Sequence, residues 1–505
     1  MLLTWDAAAV RAAEEPLLAA GVPLMDRAAF ALSVIVAREL RHARGRVGGA
    51  RVVLLVGPGN NGGDTLVAGA YLAGRGAAVT ALLAAERVHD EGLAALRRAG
   101  GRTLLVRTAA GPDATGSVGP AEIGVADAAR VAAAADVVLD GLLGIGARGG
   151  LRGAAGALVA ALAGVRPRPF VVAVDVPSGI GVDDGTVPGD VLAADLVVTF
   201  GGAKPGLLLP PAAGLAGRVE VVDVGLSLPS AAAAVARLDA ADIAAVWPVP
   251  AADDHKYSRG VLGVVAGTRA YPGAAVLVTG AAVRAGVGMV RYLGDVGPAV
   301  VAAHPEVVAG EGQVQAWVLG PGVDAHDEAQ AARIATALRS GLPAVVDAGA
   351  LPVLPERVGP HVVLTPHAGE LVRLLAARGV TTTRDEVVAA PLAAARRAHH
   401  LTGATVLLKG AVTVVVGPGG VVTQAEAPAW LATAGAGDVL AGLLGALLAG
   451  RSSDVLADPS LAARLAAAAA SVHGRAAHAA NPGGPVSASA VADALPATIA
   501  ALLRR

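Results

Sequence analysis

Residues 51–65 read RVVLLVGPGNNGGDT. Arg51 to Val56 is a short apolar run rich in β-branched residues, and it stops at a glycine-rich turn. That order predicts a buried strand, a tight turn and a helix start. Glycines at a strand's carboxyl end let backbone N–H groups approach a phosphate at the helix N-terminus. The run has no P-loop lysine, so a Walker A loop does not fit. A turn built from Asn, Asp and Gly is the plain alternative. Two adjacent asparagines and an aspartate are more polar material than a turn requires.

The same alternation extends outward. Similar strand runs occur at Val137–Leu139, Val171–Val174 and Leu196–Thr199, with alanine-rich helical segments between them. Upstream, Asp6 caps a first helix that Pro16 is expected to stop. A second helix follows Pro23, with Leu24, Ala28, Leu32, Val36 and Leu40 as its buried stripe. A composition shift falls between Leu226 and Pro250: LSLPS is a turn, AAAAVARLDAADIAAVW a helical stretch, and PVPAADD a loop. Alternation restarts at Val261–Val265, Ala316–Leu319, Ala344–Val346, Val362–Leu364 and Val406–Leu408. The expectation is an α/β protein of two three-layer αβα domains. The domains span residues 1–226 and 240–505, with a linker at 227–239. They share no motif set, so a duplication is not expected.

Composition narrows the functional classes. The 505 residues carry 40 Lys plus Arg against 41 Asp plus Glu, a formal net charge of −1. Such a balance gives no long-range attraction to nucleic acid or anionic lipid. With 4 Trp, 4 Tyr and 3 Phe, a base-stacking surface is not expected either. The absence of cysteine excludes a disulfide framework, a cysteine zinc site and a cysteine nucleophile. Apolar stretches are broken by charges or Gly/Pro clusters, so no membrane span is expected. The start, MLLTWDAAAVRAAEE, lacks the basic first region of a secretory leader and turns acidic where the apolar core belongs.

Three polar strand ends stand out in the first half: GPGNNGGDT (57–65), then VVLDGLLGIGARGG (137–150) with Asp140, then VVAVDVPSGIGVDDG (171–185) with Asp175. In open α/β sheets ligands bind at the strands' carboxyl ends, so the three are expected to converge on one crevice. A helix N-cap is the alternative for either aspartate alone. Together with TFGGAKPG (199–206) and PLMDRAA (23–29), these motifs resemble the YjeF N-terminal family, the NAD(P)H-hydrate epimerases, over about residues 1–226. The resemblance implies a Rossmann-like fold. It implies that Asn60, Asn61, Gly62, Gly63 and Asp64 contact the hydrate's phosphates and ribose, as do Gly144, Ile145, Gly146, Ala147, Arg148, Gly149 and Gly150. It implies a potassium ion on Asn61, Asp140 and Ser178, and Asp175 beside the hydrated nicotinamide ring in a catalytic role, either proton transfer or ring positioning. Oxygen-only ligands suit a hard cation. The departure is Thr65, where the family has glycine; its side chain is expected to crowd the helix start.

In the second half ATAGAGDVLAGLLGALLAG (432–450) is the most informative run. A glycine-rich turn feeds a helix with Asp438 in its first turn. The backbone N–H groups there suit a transferring phosphoryl group, and the carboxylate suits a general base. A structural N-cap is the alternative. Lys409–Gly410 ends a strand and suits a nucleotide phosphate, or is an ordinary surface lysine. His367 in LTPHAGE (364–370) follows a strand; His399, His400, His473 and His478 lack metal-ligand company. With HKYSRG (255–260), YPGAA (271–275) and GPG (320–322), the set resembles the ribokinase-like YjeF C-terminal family, the ADP- or ATP-dependent NAD(P)H-hydrate dehydratases, over about residues 240–505. The resemblance implies that Ala274 (or Ala275), Gly322, His367 and Asp438 contact the hydrate. Lys409, Gly410, Ala411, Val412, Thr413 and Gly437 would contact the nucleotide, ADP or ATP with Mg2+. It implies repair of NADHX and NADPHX by a cytoplasmic homo-oligomer that binds neither nucleic acid nor membrane. The rival is a vitamin or sugar kinase joined to a non-catalytic binding module. It leaves HKYSRG, TPHAGE and the intact NNGGD run unexplained.

Overall fold

A computed structural model describes residues 1–108, 121–324 and 326–504. They form two compact units: Leu3–Ala234, and Val235 onward with Met1–Leu2.

The first unit holds an eight-stranded sheet. From edge to edge its strands are Ala121–Gly124, Arg102–Arg107, Ala78–Leu83, Arg51–Val56, Val137–Gly141, Phe170–Val174, Leu196–Phe200 and Arg218–Val222. Every pairing is parallel. Central strands such as Val137–Gly141 are buried at every position, as parallel strands covered on both faces must be. Arg51–Val56 pairs with Ala78–Leu83 on one side and Val137–Gly141 on the other. Strand order reverses there, so a crevice opens at its carboxyl end. Leu32, Val36 and Leu40 of the helix Leu24–Arg44 are buried against this sheet, as their spacing requires.

The second unit's sheet runs Val235–Arg237, Gly420–Gln424, Thr413–Gly417, Thr405–Leu408, Val362–Leu364, Ala344–Val346, Ala316–Leu319, Val261–Val265, Met289–Tyr292, Val308–Ala309. It is parallel except where Thr413–Gly417 pairs antiparallel with both neighbours. The helix Ala436–Gly450 buries Val439, Leu443 and Leu447 in a core with Val264, Val318 and Val345. Among the described residues no single helix is long and apolar enough to cross a membrane.

Two local expectations fail. The first helix continues through Pro16 to Ala19. Proline there removes only its own N–H bond, and one further turn closes through Ala20 N–H to the Pro16 carbonyl. The stretch AAAAVARLDAADIAAVW is not one helix, and the expected linker is not all linker. Val235–Arg237 is a sheet strand, and the helix starts only at Ala240. Asp239 sets that start: its carboxylate accepts from the Ala241 and Asp242 N–H groups in a capping box.

Two candidate active sites

In the first unit the turn after Arg51–Val56 is as tight as its glycines allow. A Cβ on Gly57 would lie 1.8 Å from the Leu142 carbonyl oxygen, and one on Gly62 would lie 2.2 Å from the Gly57 carbonyl oxygen. The helix Asn60–Gly74 starts without a side-chain cap, so its first N–H groups face the crevice. Thr65 does not crowd that start. It is fully buried, its hydroxyl donates to the Asn61 carbonyl at 2.7 Å, and it packs on Gly141, where a Cβ would come within 1.9 Å of it.

A cavity of about 540 Å³ opens at this strand end. Asn60, Asn61, Asp64, Asp175 and the loop Gly144–Ala147 line it. Gly62 and Gly63 are buried in the turn, while Arg148, Gly149 and Gly150 lie outside the lining. Asp175 holds a left-handed backbone, φ 68°, a conformation that costs a non-glycine residue about 1–3 kcal/mol. Its Oδ1 accepts from Lys204 Nζ at 2.5 Å, Thr199 Oγ1 at 2.9 Å and the Phe200 N–H at 3.3 Å. Lys204 is 1% exposed and also donates to Thr199 Oγ1 and the Phe200 carbonyl, both at 3.0 Å.

Asp140 lies behind the cavity wall, fully buried. Its carboxylate accepts from Ser178 Oγ at 2.6 Å, Ser178 N–H at 2.9 Å and Leu142 N–H at 3.3 Å. Burial pushes its pKa up against those bonds. Asn61 Nδ2 donates to the Leu143 and Val174 carbonyls at 2.9 Å each. The Leu143 N–H and carbonyl both meet Ser178 Oγ, at 2.9 and 3.3 Å. The three residues expected to share a cation therefore share one buried, oxygen-rich neighbourhood. Sequence reading passed over Lys204, which lay inside the quoted TFGGAKPG, and over Glu14. The helix Ala7–Ala19 brings Glu14 to the cavity. Burial, then the Asp175 charge, raises the Glu14 pKa. Burial first, then Asp175 and Glu14, lifts Asp64 well above the ordinary carboxylate range.

In the second unit Asp438 sits in the first turn of the helix Ala436–Gly450, which has no side-chain cap. The N-cap alternative therefore fails. Burial, reinforced by the Asp347 charge and opposed by Lys409, pushes its pKa to about 6. Lys409 Nζ donates to Asp347 Oδ1 at 2.8 Å and lies 3.8 Å from Glu370 Oε2. Burial works against the lysine charge, but Asp347, Glu370 and Asp438 together hold its pKa above the ordinary value. A Cβ on Gly437 would lie 3.4 Å from Lys409 Nζ, so the helix start lies beside the ammonium. Gly410, Ala411 and Val412 form the turn after Lys409, and Thr413 opens the next strand.

His367 caps the helix Ala368–Ala376. Its Nδ1 accepts from the Gly369 and Glu370 N–H groups at 3.0 and 3.3 Å, and Glu370 Oε2 takes the His367 N–H at 2.8 Å. Its backbone bridges to Lys409, so the capping histidine borders the site. The half-buried Ala274 abuts Gly322, and Ala275 is fully buried against Gly267. Of the two, Ala274 is the one left open. Sequence reading missed Asp347. It is buried at a strand end with no glycine run to flag it, and its partner lies 62 residues later. His473 is buried, its Nε2 has no partner among the described residues, and burial pushes its pKa down to about 4.

Both sites have the build of α/β enzymes that handle phosphate-bearing small molecules: uncapped helix starts at strand carboxyl ends, beside a lysine–aspartate pair. Comparison with known proteins makes the class specific. Residues 262–496 match the NAD(P)H-hydrate dehydratase family model, and residues 22–206 match that of the YjeF-related protein N-terminus. The chain is 46% identical over 457 residues to the bifunctional NAD(P)H-hydrate repair enzyme Nnr of Mycobacterium tuberculosis, covering 87% of this chain and 88% of that one. Its first half is 47% identical over 223 residues to the NAD(P)H-hydrate epimerase of Microbacterium testaceum, covering 44% of this chain and 78% of that one. Among solved structures, the ADP/ATP-dependent NAD(P)H-hydrate dehydratase from Bacillus subtilis, co-crystallised with ATP/Mg2+, is 27% identical with a TM-score of 0.46. It covers 53% of this chain and 99% of that one. The chain belongs to the family of bifunctional NAD(P)H-hydrate repair enzymes.

Proposed function

We infer that the chain is a bifunctional NAD(P)H-hydrate epimerase and dehydratase. Residues 1–226 interconvert the R and S hydrates of NADH and NADPH, and residues 240–505 dehydrate the S form at the expense of ADP or ATP. The observation that carries this reading is the presence, on one chain, of two separately built strand-end sites. One surrounds Asp175 and Lys204; the other surrounds Asp438 and Lys409.

In the dehydratase Asp438 draws the proton from the hydroxyl at C6 of the hydrated ring as that oxygen attacks the terminal phosphoryl group. The turn Ala434–Gly437 faces its N–H groups to the developing negative charge. Lys409 and the turn Gly410–Thr413 hold the nucleotide, and Ala274, Gly322 and His367 border the hydrate. The nucleotide's terminal P–O bond breaks and releases AMP or ADP; phosphate then leaves C6 as C5 gives up a proton, which restores the ring double bond of NAD(P)H. Mg2+ enters with the nucleotide, since Mg2+ favours phosphate and water ligands over an all-protein cage. Beside the transferring group, Asp347 and Asp438 supply carboxylate oxygens that suit it.

In the epimerase Asn60, Asn61, Asp64 and Gly144–Ala147, which line the cavity, bind the hydrate, with Asp175 beside its ring. Asn61, Asp140 and Ser178 suit a potassium ion: the buried Asp140 carboxylate is met only by hydrogen-bond donors and has no cationic side chain against it among the described residues. The ion would fix the loop after Val137–Gly141. Asp140→Ala is expected to slow epimerisation about 10–100-fold, the usual range for disturbing a metal's surroundings. Dehydration of pure S hydrate should be unchanged. We also expect a cytoplasmic homo-oligomer, which light scattering and cell fractionation check. The decisive assay adds ADP or ATP to purified protein with mixed hydrate epimers. Formation of NADH from both supports the reading, and a stable phosphorylated product without NADH would overturn it.

A further inference from the structure

The first-unit cavity gathers three carboxyl groups and one ammonium: Glu14, Asp64, Asp175 and Lys204 all line it. They are not equivalent. All three donors to Asp175 converge on Oδ1. Oδ2 accepts no hydrogen bond among the described residues and is left for the cavity. The carboxyls of Asp64 and Glu14 accept none either, among the described residues, and share the electrostatic influence of Asp175 and Lys204.

We propose that Asp64 is the general acid of the epimerase, and that it works opposite Asp175 Oδ2 as the base. The assignment rests on the epimerase reading above. The cycle needs no co-reactant. Asp175 takes the proton of the C6 hydroxyl, the carbonyl C6=O forms, and the C6–N1 bond breaks with its electron pair moving to N1. Asp64 gives its proton to N1, leaving an open-chain amine and aldehyde. Rotation about C5–C6 turns the other carbonyl face toward N1. N1 then attacks that face, Asp64 recovers its proton, and Asp175 returns one to the oxygen. The product is the opposite epimer with every atom and proton restored. Two carboxyls held in opposite protonation states beside one reacting centre are a recurrent way to run acid and base steps together. The three donors to Asp175 Oδ1 fix that carboxylate and leave Oδ2 to accept a proton, while the Asp64 carboxyl accepts no hydrogen bond among the described residues, and burial raises its pKa as a proton donor requires.

The test uses the full-length chain and the purified R hydrate. Asp64→Asn is expected to lower kcat for R-to-S conversion by about 10²–10⁴-fold, the usual contribution of a positioned acid. KM should shift little, because the loss falls on the transition state and not on binding. Asp64→Glu restores a carboxyl and should recover part of kcat, which a folding defect would not allow. NADH formation from pure S hydrate should match wild type in both variants. If KM rises while kcat holds, Asp64 is a binding residue and the proposal is wrong. Unchanged kinetics in Asp64→Asn, or no recovery in Asp64→Glu, also overturns it. A wild-type chain that does not epimerise at all would overturn the parent reading along with it.

Discussion

The two units solve the same problem with a lysine–aspartate pair at the strand ends, but they bury it to different degrees. Lys204 is 1% exposed and gives its three protons to Asp175, Thr199 and the Phe200 carbonyl. The Lys409 side chain is 22% exposed and has one short partner, Asp347. A fully satisfied ammonium has nothing left for a ligand and works as a brace. A partly satisfied one keeps donors for an incoming phosphate. The first site therefore spends its lysine on fixing a carboxylate, as chemistry without a nucleotide allows. Under the proposed function, the second keeps its lysine open to receive one.

The largest expected effect lies in the second site. Asp438→Asn should cut dehydration of S hydrate by about 10²–10⁴-fold, because it deletes the base. Epimerisation of the R hydrate should be untouched, and a well-folded variant with wild-type turnover would remove Asp438 from the mechanism. The lysines come next. Lys204→Met leaves Asp175 buried without its cation, which costs about 3–5 kcal/mol of stability. Thermal unfolding should show that loss together with loss of epimerisation. Lys409→Met leaves the buried Asp347 without its cation, so it should cost stability as well, and it should in addition raise the nucleotide KM. An unchanged nucleotide KM in Lys409→Met would break the distinction between brace and receptor.

Much of this was legible in the residues. The strand runs at Val261–Val265, Ala316–Leu319, Ala344–Val346 and Val362–Leu364 form as read. They could be read because fully buried parallel strands are short, apolar and bounded by turns. Asp64, Asp140, Asp175 and Asp438 stood out because each lies at a strand's carboxyl end or in a glycine-rich turn that leads into a helix. Glu14, Lys204 and Asp347 were not. Glu14 sits mid-helix among alanines, where nothing in its surroundings marks it. Lys204 gains its meaning from Asp175, 29 residues away, and Asp347 from Lys409. Such pairings are made by the sheet order, which local sequence does not state. The alanine-rich stretch before Ala240 misled because alanine's helix propensity was overridden by the sheet pairing of Val235–Arg237, while the capping box at Asp239 marked the real start.

A smaller effect separates the sites by pH. Asp438 must be ionised to act, and its pKa is raised to about 6. The dehydration kcat/KM should therefore fall about tenfold for each pH unit below about 6, as expected for an essential base. Asp438→Asn should abolish that limb in the residual activity. An acid limb that persists unchanged would assign it to another group.

The smallest effect is on stability, and its sign follows from the same shift. A carboxyl whose folded-state pKa lies above its ordinary 3.8 binds its proton more tightly in the folded chain. It therefore favours folding most where it is protonated in both states, below about pH 4. The penalty grows as pH rises from about 4 to about 6, and above that it is fully present. Asparagine carries no charge at any pH, so Asp438→Asn should be more heat-stable than wild type near pH 7.5. Each kcal/mol released is worth about 2–4 °C in a unit of this size. At pH 4 the two proteins should unfold at nearly the same temperature. A gain that persisted at pH 4 would point to better packing by the amide. No gain at pH 7.5 would mean that Lys409 and the helix start already offset the cost of holding a carboxylate there. The second site would then be as fully braced as the first.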